Sequence, residues 1–64
     1  MNYVVKKIDG KFYKKDGSFF KPEELLIANF VALERDDGSY KVIKSKNDLS
    51  LRILTKEEVF VEML

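Results

Sequence analysis

The chain has 64 residues and a formal net charge of +1; 45% of its residues are hydrophobic and 36% are charged. This composition is typical of one small folded domain and argues against a disordered tail. The sequence contains no cysteine and no histidine, which excludes disulfides, cysteine-based zinc sites, thiolate nucleophiles and histidine general bases.

The first predicted element is a β-hairpin. Residues 3–8 are rich in β-branched and aromatic side chains, which favours a strand, and residues 11–15 can pair back onto it. Asp9-Gly10 lies between them, and Asp-Gly is a strong hairpin signal because a type I′ turn needs positive φ at both central residues. Further Asp-Gly steps at Asp16-Gly17 and Asp37-Gly38 predict two more turns. Between these two turns, residues 18–20 form a short third strand or an extended connection.

A helix start follows at Lys21-Pro22-Glu23-Glu24, where proline and acidic residues suit the first helical turn. The extent of this helix is ambiguous, because the apolar residues that follow do not line one helical face. Read as a strand, residues 27–35 are apolar on both faces, which is typical of a central strand covered on both sides. We favour one helical turn over 22–26 and a strand over 27–35; the alternative is a continuous helix over 22–34.

Two strands are predicted in the next part of the chain. Residues 40–45 form the first, with Val42 and Lys44 on one face, and a polar turn follows at 46–48. Residues 49–54 form the second, because their apolar and polar side chains alternate strictly. This alternation predicts that one set faces inward, namely Leu49, Leu51 and Ile53.

The last element begins with a capping-box pattern at Thr55-Lys56-Glu57-Glu58, in which Thr55 is the N-cap. The pattern predicts a short C-terminal helix from Lys56. A strand over 59–63 is the competing interpretation, since Val59 and Val61 are β-branched. The helix would place four apolar residues on one side, namely Val59, Phe60, Met63 and Leu64.

Together these elements predict a small single α+β domain over residues 1–64. The domain is a mostly antiparallel sheet of four or five strands, with Asp-Gly hairpins and one or two short helices. The alternative is a small SH3-like or OB-like β-barrel.

The candidate binding surface is the N-terminal hairpin, where lysines alternate with aromatic residues. Lysines that follow a phosphate backbone and aromatic rings that stack on bases are typical of single-stranded nucleic-acid binding, and the same lysines suit an acidic protein. The structural alternative is that the rings form the core and the lysines are a solvated face. The residues predicted to contact a partner are Lys6, Lys11, Lys14, Lys15, Tyr13, Phe19 and Phe20.

No catalytic, cofactor or metal site is predicted. The acidic group Glu34, Asp36 and Asp37 lacks the spacing of a calcium-binding loop, and aspartates are common in turns for their side-chain bonds to the backbone. The longest nearly apolar run, residues 25–33, is too short to span a membrane, and the first 30 residues show no signal peptide. The absence of cysteine favours the cytoplasm.

These observations lead to the hypothesis of a non-enzymatic protein-interaction module. It would act as a stoichiometric regulator or inhibitor of a larger protein, as small proteins of phages and other mobile elements often do; that origin is inferred from size alone. The alternative is a small single-stranded nucleic-acid-binding protein that uses the N-terminal hairpin. The excess of apolar residues over 25–33 and 59–64, together with one exposed ring of Phe19-Phe20, also suggests a homodimer, the alternative being a monomer.

Overall fold

The computed structural model describes residues 1–46, 49 and 51–64. In chain order the elements are β1 (Asn2–Ile8), β2 (Lys11–Lys14), α1 (Pro22–Ile27), β3 (Phe30–Glu34), β4 (Tyr40–Ser45), β5 (Ile53–Leu54) and α2 (Lys56–Met63). The strands form one sheet in the order β2-β1-β3-β4-β5, in which only the β1–β3 pair is parallel. The predicted α+β fold is confirmed, and the barrel is not adopted.

The β1–β2 hairpin closes at Asp9-Gly10, whose φ angles are 51° and 80°. Both are positive, as a type I′ turn requires. The other two Asp-Gly turns differ, because in each of them the glycine, Gly17 or Gly38, has a positive φ and the aspartate before it does not. In each of these turns the aspartate carboxylate accepts hydrogen bonds from the backbone N–H and the hydroxyl of the serine that follows the glycine. The glycine N–H donates to the carbonyl oxygen of the residue three positions earlier.

The central strand β3 is covered on both sides, as the sequence predicts. Phe30 and Ala32 point to one face, where they pack with Leu54 and with Val59 of α2. Val31 points to the opposite face and packs with side chains from the α1 side of the sheet. We call these the α2 face and the α1 face. Residues 22–34 therefore form a short helix followed by a strand, and the continuous-helix alternative is wrong.

The orientation of Lys44 differs from the sequence prediction because the β3–β4 pairing shifts register next to Val31. A bulge places an extra residue in one strand and so changes which face the following side chains occupy. Lys44 consequently lies on the α1 face, where its Nζ donates to the carbonyl oxygens of Leu25 at 2.8 Å and Leu26 at 3.1 Å. The lysine therefore satisfies carbonyls at the end of α1 that lack helical partners.

The predicted strand over 49–54 is largely wrong. Among the described residues of this stretch, 49 and 51–54, only Ile53–Leu54 is a strand, and its inward residue is Leu54, which is 6% exposed, whereas Ile53 is 50% exposed. The alternation fails at Leu51, whose φ is 68°, so the backbone leaves the extended conformation and the side chain turns to solvent. Leu49 packs against the α2-face core as predicted. Ser50, and Asn47 and Asp48 of the predicted turn, lie outside the described residues.

The C-terminal helix and its capping box are confirmed. Thr55 Oγ1 accepts from the backbone N–H of Glu58, and the Glu58 carboxylate accepts from the backbone N–H of Thr55. Val59 is buried and Met63 packs beside it, as predicted. Phe60 and Leu64 were expected on the same side, yet both are exposed.

Candidate functional site

Helix α2 covers only part of its sheet face. Its buried residue Val59 packs with core residues of β3, β4 and β5, and α2 also meets the start of β1, where the side-chain amide of Asn2 donates to the carbonyl oxygen of Glu62 at 3.4 Å. The rest of β1 and all of β2 extend beyond the helix. Between α2 and the β1–β2 hairpin lies an open groove of about 880 Å³, which we call the hairpin groove. Its principal lining comes from Val4, Lys6, Ile8 and Tyr13 of the hairpin and from Phe60 and Met63 of α2.

Apolar side chains in and beside the groove remain in contact with solvent. Ile8 is 50% exposed at the end of β1, and Phe60 is 66% exposed on the groove side of α2. The ring of Tyr13 meets that of Phe19 edge to face, with the centroids 6.2 Å apart. Phe19 lies beyond β2 at the sheet edge, where it forms a single antiparallel bridge with Tyr13. Exposed apolar groups gathered in this way are typical of interaction sites.

The floor of the groove contains one polar group of three residues. Glu34 accepts a hydrogen bond of 3.1 Å from the Tyr40 hydroxyl and lies 3.6 Å from Nζ of Lys6. Burial raises the pKa of Tyr40, and the neighbouring Glu34 carboxylate raises it further. Lys6 is more than half exposed, so its ammonium group remains accessible from the groove. Two further lysines that line the groove, Lys15 and Lys56, are exposed.

The structure divides the predicted binding residues into two groups. Lys6, Tyr13, Lys14 and Lys15 line the hairpin groove, although the Lys14 ammonium group is held by α1. The remaining three take other positions. Lys11 and Phe19 line a smaller cavity of about 360 Å³ on the α1 face, and Phe20 is buried in the α1-face core; the Phe19 ring also contacts Tyr13. The expectation that one ring of Phe19-Phe20 is exposed is confirmed.

Lys14 connects β2 to α1. Its Nζ lies 2.6 Å from the carboxylate of Glu24, and the two side chains are only 27% and 16% exposed. The hydrogen bond from Lys14 lowers the pKa of Glu24, and a bond from the Lys21 backbone N–H lowers it further. The same hydrogen bond raises the pKa of Lys14, whose ammonium also lies 5.6 Å from the Tyr3 ring centroid. Lys14 therefore has a role in the fold.

Replacing Glu24 with glutamine is expected to lower the thermal unfolding midpoint near pH 7. Because the folded-state pKa of Glu24 lies below its ordinary value of 4.5, its contribution to stability is present above about pH 4.5 and is lost as the pH falls through the folded-state pKa. The difference between wild type and Glu24→Gln should therefore narrow in acid. Circular dichroism melts from pH 7 to pH 3 measure it. Glu23→Gln, an exposed neighbour in the same helical turn, is the control; an equal effect in both variants would contradict a specific role for Glu24.

The predicted binding set omits several groove residues, among them Ile8, Lys56 and Phe60. The sequence gives no indication that Ile8 is exposed within its strand, and the helical pattern places Phe60 on the buried side of α2. The available signal was the length of the C-terminal helix: eight residues span about 12 Å, which is too short to cover every strand of a five-stranded sheet spaced about 4.8 Å apart.

The part of the chain that the structure describes contains no group of three or more carboxylates placed to hold a metal ion. Asp37 of the predicted acidic group instead accepts bonds from the backbone N–H and the hydroxyl of Ser39. Among residues 1–46, 49 and 51–64, no helix has the length and apolar character needed to cross a membrane. Comparison with protein-family models, with curated proteins and with solved structures gives no match to this chain.

Proposed function

We propose that this protein is a non-enzymatic interaction module that binds a larger protein stoichiometrically and acts as its regulator or inhibitor. The observation that carries the proposal is the hairpin groove, an accessible concave surface with the apolar side chains of Ile8 and Phe60 left in contact with solvent. A chain of this length has few apolar residues to spare, since its small core supplies only a few kcal/mol of net stability. Apolar groups that are left outside that core and also line a concave surface favour a role in binding.

The arrangement of charge supports a protein partner over nucleic acid. Two lysines of the predicted phosphate-binding set have carboxylate neighbours, Lys6 beside Glu34 and Lys14 beside Glu24. Carboxylates next to these lysines would repel a phosphate backbone, whereas mixed charges around an apolar centre suit a protein interface. The net charge of +1 agrees with this choice, because nucleic-acid-binding domains of this size are commonly much more basic.

The test compares capture of partners by three forms of the tagged chain. Ile8→Gln/Phe60→Gln removes two apolar side chains from the hairpin groove without adding charge, whereas Leu26→Gln/Ile27→Gln changes two similarly exposed residues of α1. All four positions are at least half exposed, so each variant should fold, which circular dichroism verifies. We expect the wild-type chain and the α1 variant each to capture one protein in equimolar amount, and this capture should survive treatment with nuclease. The groove variant should not capture that protein.

Equal capture by all three forms would show that the groove is not the binding surface. Recovery of nucleic acid instead of a protein, decreasing steeply as salt rises, would favour the alternative function.

A further inference from the structure

We propose that the occupant of the hairpin groove is an acidic amphipathic helix of the partner protein. This inference rests on the proposed function and specifies the chemistry of the partner. It follows from three features. The groove lies beside helix α2, the outer edge of strand β2 is already hydrogen-bonded, and the accessible charge around the apolar lining is mainly positive.

The position of the groove is that of a second helix in the α2 layer. α2 lies over β3, β4 and β5 and meets the start of β1 through the hydrogen bond from Asn2 to Glu62, and the groove extends beside it over the rest of β1 and over β2. Helices pack side by side at about 8–10 Å, so a helix in the groove would contact both α2 and the sheet. A helix of about 14 residues is about 21 Å long, which fits the 25–27 Å extents of the molecule.

A strand is the less suitable occupant because the edge beside the groove is already used. The backbone N–H of Lys14 donates to the carbonyl of Ser18 at 2.8 Å, and the N–H of Phe20 donates to the carbonyl of Phe12 at 2.9 Å. These bonds occupy the outer edge of β2, and β1 is paired on both sides, with β2 and with β3. A helix satisfies its own backbone groups and requires no such edge.

The charge around the apolar lining indicates an acidic partner. Lys15 and Lys56 are exposed residues that line the groove, whereas Lys6 lies beside Glu34 and adds no net charge to it. The two carboxylates that also line the groove are already engaged: Glu34 by Tyr40 and Lys6, and Asp16 by Ser18. The accessible charge is therefore mainly positive, and carboxylates flanking the apolar stripe of a helix would complement it.

The experiment titrates isotope-labelled protein with three synthetic peptides of about 14 residues and follows the backbone amides by NMR. The first peptide has leucine and phenylalanine at helical spacing, flanked by glutamates. The second has lysine in place of each glutamate, and the third is the acidic peptide with a central proline, which prevents a continuous helix. We expect the acidic helical peptide to shift amides of β1, β2 and α2, and each of the others to bind at least ~10-fold more weakly.

Two charge-reversal variants provide the matched control. Lys15→Glu/Lys56→Glu alters the groove, and Lys7→Glu/Lys41→Glu alters the α1 face, where Lys7 pairs with Phe12 and Lys41 with Leu33. Each pair lowers the net charge equally. The first should weaken binding of the acidic peptide by ~10-fold or more, and the second should change it less than ~2-fold.

Three results would overturn the inference: no shifts with the acidic peptide, shifts confined to the α1 face, or equal binding of the basic or proline peptide. Self-association of the chain that closes the groove, measured as a doubled mass by sedimentation, would overturn it as well. None of these results would by itself refute the interaction-module proposal, because capture that depends on Ile8 and Phe60 tests that proposal separately.

Discussion

Replacing Phe20 with alanine is expected to leave most of the chain unfolded at 25 °C, whereas replacing its neighbour Phe19 should leave it folded. Phe20 is 9% exposed within the α1-face core and its ring contacts Tyr3. Truncation of a buried phenylalanine costs about 3–5 kcal/mol, which is comparable to the total stability of about 3–5 kcal/mol expected for one small core. Phe19 is 47% exposed, so its loss should cost only about 1 kcal/mol, mainly from the ring contact with Tyr13.

Urea denaturation followed by circular dichroism measures both effects. The Phe19→Ala variant is also expected to bind the partner more weakly, because its ring extends the exposed aromatic surface next to Tyr13. Similar losses of stability in the two variants would contradict the structure, in which Phe20 is buried in the core and Phe19 is exposed.

The second large effect is expected at Leu54, in the short strand β5. Leu54 is 6% exposed and packs in the α2-face core with Val59, so Leu54→Ala should cost about 2–5 kcal/mol and greatly reduce the folded fraction. Ile53 is 50% exposed on the other face, so Ile53→Ala should cost less than about 1 kcal/mol.

This pair of variants distinguishes the structure from the alternation in the sequence, which places Ile53 inward. Thermal melts of the two proteins measure the difference. A larger loss for Ile53→Ala than for Leu54→Ala would show that the register of β5 is the one that the sequence pattern predicts.

The parts of the fold that local chemistry determines could be predicted from the sequence. Thr55 and Glu58 lie three residues apart, and the reciprocal bonds of a capping box need no other element. Asp9-Gly10 similarly determines its own turn. The two-sided apolar character of residues 27–35 was sufficient to identify a central strand, since a surface helix requires one apolar face.

The wrong predictions concern features that depend on distant residues. The bulge next to Val31 turns Lys44 to the α1 face, and the positive φ of Leu51 ends the alternation before β5. Neither feature has a local signal, because both depend on how β4 pairs with its neighbours. The ion pair between Lys14 and Glu24 joins residues ten positions apart. The composition of the hairpin therefore predicts a binding role for Lys14, whereas the structure pairs it with α1.

Only part of the candidate site could be predicted from the sequence, because the groove is formed by elements that are distant along the chain. Tyr13, Lys6 and Lys15 follow from a basic and aromatic hairpin. The opposite wall depends on where α2 lies on the sheet, and Phe60 becomes a groove residue because the helix meets only the start of β1 and leaves the rest of the hairpin uncovered.

The most direct test of the binding site is an NMR comparison of the isotope-labelled chain, free and in complex with the partner that it captures. We expect the amide signals that shift or broaden to belong to β1, β2 and α2, around the hairpin groove, and the signals of α1 and its neighbours to stay unchanged. Changes concentrated at α1 and the α1 face, with the groove signals unaltered, would contradict this expectation.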